Sequence, residues 1–250
     1  MDKRRYIKSI LMSSPIEHCS YLHSLAVVKY LKQYGQLDFN SNVTFFVGEN
    51  GTGKSTLIEA IAVAYGFNPE GGSRNFNFST CNSHSDLWKH ITLTKTDYAE
   101  DGFFLRAESL YNVASNIDEL DRIPAPIPSV ISSYGGVSLH RQSHGESFLS
   151  LVQNRFGGNG LYILDEPEAA LSPMRLLTLM IVMDRLVKQN SQFIIATHSP
   201  LLMAFPNATV YEFSSNGIRE TNYQSTDHYL ITKRFLNDPE GMLTELLNKQ

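Results

Sequence analysis

The nine residues from Gly48 to Thr56 carry the clearest chemistry in this sequence. They are Gly-Glu-Asn-Gly-Thr-Gly-Lys-Ser-Thr, and a glycine, four free positions, Gly-Lys and then Ser or Thr form a phosphate-binding pattern. Glycines let consecutive backbone N–H groups turn inward around phosphate oxygens. We therefore predict that this segment binds the phosphates of a nucleotide and is not merely a glycine-rich turn.

Two side chains of this motif have predicted roles, and the segments on either side of it have predicted secondary structure. Lys54 would contact the β- and γ-phosphates, and Ser55 would coordinate Mg²⁺ through its hydroxyl, because a hard cation prefers oxygen ligands. Residues 43–47 are a β-branched and aromatic run typical of a buried strand, and apolar residues recur at helical spacing from Leu57 to Ala62. The N-terminus of that helix would add about half a positive charge beside the phosphates.

A second group of polar residues follows two later apolar strands. Asp165 and Glu166 end the run 161–164, and His198 ends the run 193–197. Alone, the two acids would indicate a solvated strand end and His198 a structural histidine. However, strands that alternate with helices predict a parallel sheet, and such sheets bind ligands at the carboxyl ends of their strands. Asp165 would then coordinate Mg²⁺, Glu166 would orient or deprotonate an attacking water, and His198 would donate to the γ-phosphate.

The remaining patterns predict the elements that position these residues. We expect strands at 5–10, 90–96, 102–107, 209–213 and 218–221. We expect helices at 108–121, 172–189, 227–236 and 239–248, while 25–31 could be a strand or a short helix. Residues 102–107 could pair with 90–96, and 209–213 should form a hairpin with 218–221. Because glycines and Pro69 interrupt the pattern before 73, we predict a single domain, with a core of 1–72 and 141–250 and an inserted mixed or helical lobe at 73–140.

Composition limits the classes of function. The 21 basic and 25 acidic residues give a net charge of −4, which supplies no general attraction for nucleic acid or anionic lipid. Cys19 and Cys81 show neither zinc-site spacing nor a disulfide framework. The sequence shows no membrane segment and no apolar signal core after its first residues, so we expect a cytoplasmic location.

The order of five motifs resembles that of an ABC-type ATPase. These motifs are 48–56, Ser143-His144-Gly145-Glu146, 161–167, 170–173 and 197–200. The chain is most similar to the stand-alone, non-transporter branch often labelled AAA family or predicted ATPase, related to chromosome-maintenance and DNA-repair ATPases. The resemblance covers about 43–64 and 141–205. It implies an α/β P-loop NTPase fold of ABC type, with a mainly parallel central sheet, flanking helices and an N-terminal antiparallel β portion.

The same resemblance implies a head-to-tail homodimer that encloses two ATP molecules. Ser143 and Gly145 of one subunit would contact the γ-phosphate bound by Lys54 of the other, while 170–173 would let the two sites sense each other. By residue type alone, Ser143 and Glu146 also form a capping box, and both interpretations can hold. The predicted ATP-binding residues are Gly48, Asn50, Gly51, Thr52, Gly53, Lys54, Ser55, Thr56, Ser143, Gly145 and Glu146.

The sequence departs from the family pattern in ways that affect the choice of function. Gln142 and His144 replace an apolar residue and a glycine of transporter subunits, which favours the non-transporter branch. No glutamine lies between Gln36 and Gln142, so the usual metal-contacting glutamine has no identical counterpart. Asn75 or Asn77 could substitute for it, and Tyr21, Tyr30 and Tyr34 are candidates for stacking on adenine.

These features together predict an Mg²⁺-dependent ATPase whose ATP-driven dimerisation is coupled to a separate effector protein or to a nucleic-acid process, in genome maintenance or defence. Nucleic-acid binding cannot be inferred from the scattered basic residues. The alternatives are an ATP-gated binding module with slow turnover and the nucleotide-binding subunit of a membrane transporter. A P-loop kinase would leave 143–146 and His198 without a role.

Overall fold

Two β-sheets form the framework of the protein. The structure is a computed structural model that describes residues 5–74, 85–122, 129–215 and 217–248. Its strands are β1 (Ile7–Met12), β2 (Gln36–Asp38), β3 (Val43–Gly48), β4 (Ile91–Lys95), β5 (Asp101–Arg106), β6 (Gly160–Asp165), β7 (Gln192–Ala196), β8 (Thr209–Ser214) and β9 (Gly217–Thr221).

Helices pack on both faces of the larger sheet. They are α1 (Ala26–Tyr34), α2 (Lys54–Tyr65), α3 (Leu110–Arg122), α4 (His144–Arg155), α5 (Pro173–Lys188), α6 (Pro200–Met203), α7 (Asp227–Asn237) and α8 (Pro239–Leu247). None of the helices in the described ranges is long and apolar enough to cross a bilayer.

The central sheet has six strands in the order β5-β6-β7-β3-β8-β9 and is parallel except for β9. Every residue of β3 and β6 is buried, as expected for parallel strands covered on both faces. Register pairs Ala196 with both Phe46 and Asp165. The carboxyl ends of β3, β6 and β7 therefore meet at one edge of the sheet.

The two faces of this sheet contribute to two separate hydrophobic clusters. Successive side chains point to opposite faces of a strand, so Phe46 packs in the cluster with α1 and α2, whereas Phe45 packs in the cluster with α4 and α5. α2 packs on one face of the sheet and α5 packs on the other, so the carboxyl ends of β3, β6 and β7 lie between two layers of helices. This sandwich of helices around a parallel sheet confirms the predicted α/β fold class.

A smaller antiparallel sheet, in the order β2-β1-β4, confirms the expected N-terminal β portion. The ambiguous segment 25–31 is helical, because α1 buries Ala26, Val27, Val28 and Leu31 on one face. The terminal hairpin is present as β8 and β9, and the two predicted C-terminal helices are α7 and α8.

The predicted pairing of 90–96 with 102–107 is wrong. β4 pairs with β1 in the small sheet, whereas β5 pairs in parallel with β6 in the central sheet. Burial alternates along β4, which suits a sheet with one exposed face, but four consecutive residues of β5 are buried and require cover on both faces. β4 and β5 are therefore edge strands of two different sheets.

Candidate nucleotide-binding site

The loop from Gly48 to Lys54 connects β3 to α2 at the carboxyl edge of the central sheet. Gly48, Gly51 and Gly53 all have positive φ angles, which residues with a Cβ rarely adopt. A Cβ at Gly48 would also clash with the carbonyl oxygen of Phe213 on the neighbouring strand. The glycines are therefore required to give the loop its shape, as the sequence pattern predicted.

A Gly48→Ala substitution should destabilise the protein, because the φ of +132° and the Phe213 carbonyl both oppose a Cβ there. We expect a loss of about 3 kcal/mol or more from backbone strain and overpacking together. Gly66→Ala is the matched control, since Gly66 has a φ of +109° but open space around it. Urea denaturation of both variants measures the difference, and equal stabilities would show that the close approach to Phe213 is unimportant.

The side chain of Lys54 lies inside this loop. Only 3% of the residue is exposed, and Nζ donates hydrogen bonds of 2.8 Å to the carbonyl oxygens of both Gly48 and Glu49. Burial lowers the pKa of Lys54, while the carboxylates of Glu166 and Asp165 act in the opposite direction. The amino group is thus held by the carbonyl groups at the start of the loop.

Ser55 and Asp165 meet across the gap between α2 and β6. The Ser55 hydroxyl donates to Asp165 Oδ1 over 3.1 Å, and Arg106 Nε lies 3.6 Å from Oδ2. Burial raises the pKa of Asp165 to about 6, although Arg106 and Ser55 oppose the change. Two hard oxygen donors side by side fit Mg²⁺, a cation that takes few protein ligands and completes its shell with phosphate and water.

An Asp165→Asn variant should be more stable than the wild type at pH 8 when no nucleotide is present. Because folding raises the pKa of Asp165 from 3.8 to about 6, the ionised carboxylate destabilises the fold above pH 6, and this cost disappears as the pH falls through the interval between the two values. We expect a gain of roughly 1–3 kcal/mol at pH 8, partly offset because Arg106 loses a partner. Denaturation at pH 8 and pH 5 measures it; a less stable variant at pH 8 would contradict the prediction.

Glu166 directly follows β6 and has a left-handed backbone conformation, with φ 49° and ψ 54°. This conformation costs a glutamate roughly 1 kcal/mol and marks a functional candidate when it is observed in a cleft. The Glu166 N–H donates to the carbonyl of Ala196 over 3.0 Å, and the side chain is 41% exposed. The turn separates the directions of Asp165 and Glu166, so the two acids have different surroundings.

His198 follows β7 and faces Glu166. Its Nε2 lies 3.5 Å from Glu166 Oε1, and its Nδ1 lies 2.9 Å from Nε2 of His228 on α7. Burial lowers the pKa of His198, and the positive charge of Lys54 lowers it further. The backbone N–H of His198 donates to the carboxylate of Glu168. The predicted group of Lys54, Ser55, Asp165, Glu166 and His198 is therefore assembled at one sheet edge.

The structure adds residues that the sequence analysis missed. Glu168 is a third acid beside Asp165 and Glu166, and burial raises its pKa. Its position two residues after Glu166 could have identified it as a site residue from the sequence. Arg106 binds Glu59 over 2.9 Å as well as approaching Asp165. Neither Arg106 nor His228 lies in a recognisable motif, because each reaches the site from an element distant in sequence.

Ser143, Gly145 and Glu146 lie at the N-terminus of α4. The N–H and hydroxyl of Ser143 donate to Glu146 Oε2 over 3.0 and 2.7 Å, which agrees with the predicted capping interaction. Arg175 lies 3.2 Å from Glu146, and a Cβ at Gly145 would clash with Arg175 and lie 3.0 Å from the carbonyl of Ala170. In the described part of the chain, no hydrogen bond or ion pair joins these residues to the 48–56 loop.

A cavity of about 690 Å³ lies beside the phosphate loop, which is the size of typical ligand sites. Its walls include Ser24, Ala26, Glu212 and His228. None of the candidate tyrosines lines it: the Tyr21 hydroxyl donates to Ser85, and the rings of Tyr30 and Tyr34 pack against each other at 4.7 Å. Asn75 and Asn77, the proposed substitutes for the glutamine, lie outside the described residues.

Comparison with known proteins agrees with this geometry. A family profile described as "AAA domain" matches residues 26–107, and one described as "AAA domain, putative AbiEii toxin, Type IV TA system" matches residues 136–204. Together they cover more than half of the chain. The first contains the phosphate loop, and the second contains Ser143, Asp165, Glu166 and His198.

A curated relative and a solved structure extend the comparison. Structural maintenance of chromosomes protein 6 of Takifugu rubripes is 24% identical over 120 residues, which are 47% of this chain and 11% of that protein, so the match spans about a tenth of the relative. The structure of cbiO1 from Clostridium perfringens, part of the ABC transporter complex cbiONQ, has a TM-score of 0.51 at 17% identity, covering 96% of this chain and 100% of that chain. The likeness to cbiO1 shows a shared fold. The chain belongs to the P-loop ATPases of the ABC/SMC-like type.

Proposed function

We propose that this chain binds ATP with Mg²⁺ and hydrolyses the β–γ bond. The observation that carries the proposal is the meeting of three sets of residues at one sheet edge. Lys54 lies within the glycine loop, Ser55 contacts Asp165, and Glu166 faces His198. A structural turn alone would not require a buried lysine, an acid next to a hydroxyl and a strained glutamate together.

The loop binds the triphosphate. The backbone N–H groups of 48–56, together with the N-terminus of α2, face the phosphate oxygens. Lys54 neutralises the β- and γ-phosphates. Ser55 and Asp165 would hold Mg²⁺, which would neutralise charge on the phosphates as a Lewis acid. The nucleoside occupies the cavity beside Ser24 and Glu212, next to the loop.

Hydrolysis uses the two residues that follow β6 and β7. Glu166 accepts a proton from a water as the water oxygen attacks the γ-phosphorus. The bond from that phosphorus to the β–γ bridging oxygen breaks, so ADP leaves with the bonding electron pair. His198 donates a hydrogen bond to the γ-phosphate and orients Glu166, since its Nε2 lies 3.5 Å from that carboxylate.

A second copy of the chain completes each site. Ser143 is exposed and lies at a helix N-terminus, where N–H groups favour an anion. Because 143–146 has no polar contact with the 48–56 loop of its own chain among the described residues, we assign it to the γ-phosphate bound by a partner subunit. ATP closes this head-to-tail dimer and hydrolysis reopens it. The motion drives a separate effector protein or a nucleic-acid process.

Two measurements on the purified protein test the proposal. Phosphate release with ATP and Mg²⁺ measures turnover, and light scattering during gel filtration measures dimer formation. The Lys54→Ala protein is the control that should show neither. Efficient turnover by a strict monomer would disprove the composite site, and indifference to ATP with Mg²⁺ would disprove the function itself.

A further inference from the structure

We propose that His228 is a positioning residue for ATP hydrolysis, which orients His198 so that its Nε2–H points at Glu166 and the γ-phosphate. The proposal rests on the proposed function and deepens it. The geometry that carries it is the 2.9 Å contact between His228 Nε2 and His198 Nδ1, on the opposite side of the ring from Glu166.

Buried contacts of Thr226 hold the N-terminus of α7, and with it His228, in position. Thr226 caps the helix, is fully buried, and its hydroxyl donates to the carbonyl of Tyr223 over 2.7 Å. The same hydroxyl contacts the sulfur of Met203 at 3.8 Å. Met203 ends α6, the short helix that begins two residues after His198. The contact between Thr226 and Met203 therefore joins the segment that follows His198 to the segment that precedes His228.

The surroundings of the two rings select one arrangement of protons. In a neutral pair, one ring nitrogen must donate to the other. If His198 Nδ1 donated, its Nε2 lone pair would face the Glu166 carboxylate, and His228 Nδ1–H would be a buried donor without a partner among the described residues. If His228 Nε2–H donates instead, His198 Nε2 carries a proton that faces the Glu166 carboxylate at 3.5 Å, too long for a hydrogen bond but attractive, and His228 Nδ1 is an unpaired acceptor.

The second arrangement is the more stable one, because an unpaired buried acceptor costs less than a repulsive contact with a carboxylate added to an unpaired donor. The other charged groups around His198 are Lys54, Glu166 and Glu168. Glu168 accepts from the backbone N–H of His198 and so does not compete for the ring. His228 is therefore the described side chain that decides which nitrogen of His198 carries the proton.

This role differs from simple packing in what it predicts for mutants. Without a donor at position 228, His198 can adopt the other tautomer, and its Nε2 no longer donates to the γ-phosphate. Turnover at saturating ATP should therefore fall, whatever effect the substitution has on ATP affinity through the cavity that His228 lines. Loss of a partner that orients a metal-ligating histidine typically costs about 10–100-fold, and we expect a loss of the same order for His198.

Three substitutions at His228 separate these effects. His228→Leu removes the donor, His228→Gln can place an amide N–H near the original Nε2, and His228→Glu has nearly the shape of glutamine but, when ionised, can only accept. We expect kcat to fall about 10–100-fold for Leu and Glu and to recover to within roughly 3-fold of wild type for Gln. Because His228 also lines the cavity proposed for the nucleoside, kcat is measured at saturating ATP and KM is measured separately for each variant. His18→Leu, in an exposed loop after β1, is the matched control and should match wild type.

The proton arrangement can also be observed directly. Nitrogen NMR of the histidine rings, in wild type with the His198 signals assigned by His198→Gln, should show a neutral His198 protonated on Nε2. Protonation on Nδ1, or equal kcat for Gln and Glu at position 228, would overturn the role of His228. A wild-type protein that does not hydrolyse ATP would instead overturn the proposed function, so the two failures are distinguishable.

Discussion

Replacing Glu166 by glutamine should leave ATP binding intact and slow phosphate release by about 10²–10⁴-fold. Glutamine preserves the size of the side chain but cannot accept the proton of the attacking water. Lys54, Ser55 and Asp165 remain in place, so ATP and Mg²⁺ should still bind. Because hydrolysis reopens the dimer in our proposal, this variant should accumulate as an ATP-bound dimer.

Gel filtration with light scattering, with and without ATP and Mg²⁺, measures the dimer, and phosphate release measures turnover. Glu119→Gln, an exposed change on α3, is the control and should resemble wild type in both assays. Unchanged turnover in Glu166→Gln would remove Glu166 from the reaction. The variant also tests the alternative of an ATP-gated binding module, because that alternative predicts that the activity of a bound effector survives the loss of turnover.

Introducing arginine at Ser143 should abolish turnover while each monomer still binds ATP. Ser143 lies at the exposed N-terminus of α4, and the proposed dimer places it against the γ-phosphate of the partner. A long side chain there would prevent the two subunits from closing. Its own phosphate loop should be unaffected, since the described part of the chain shows no polar contact between the two segments.

The control for this variant is Ser143→Ala, because either change removes the hydrogen bond from the Ser143 hydroxyl to Glu146. Loss of this helix cap costs about 1 kcal/mol, and only the excess effect of arginine measures blocked closure. Fluorescence titration with a labelled ATP analogue measures binding by the monomer, and light scattering measures the dimer. Normal turnover in Ser143→Arg would rule out composite sites.

Local sequence patterns were sufficient to identify most elements of the core. β3, β6 and β7 are continuous apolar runs, and α5 begins at a Ser-Pro pair with an apolar face behind it. The pairing of strands was harder. β4 and β5 are close in sequence and resemble a hairpin, but each pairs elsewhere. Hydrophobic alternation predicts how a strand is buried but does not name its partner.

The candidate site shows the same division. Lys54, Ser55, Asp165, Glu166 and His198 follow strands or begin a helix, so their positions could be predicted once a parallel sheet was assumed. Arg175, Arg106 and His228 could not be predicted in this way. They approach Glu146, Asp165 and His198 from other parts of the chain, and no spacing along the sequence records those contacts.

The sequence by itself determined the shape of the glycine loop and the acidic end of β6, because the positive φ angles of glycines and the end of an apolar run depend on only a few neighbouring residues. Only the tertiary structure decided which groups flank the ring of His198 and which charges surround Asp165. Those properties depend on Coulomb forces and hydrogen bonds between groups far apart in sequence, and such interactions exist only after the sheet and its helices have packed.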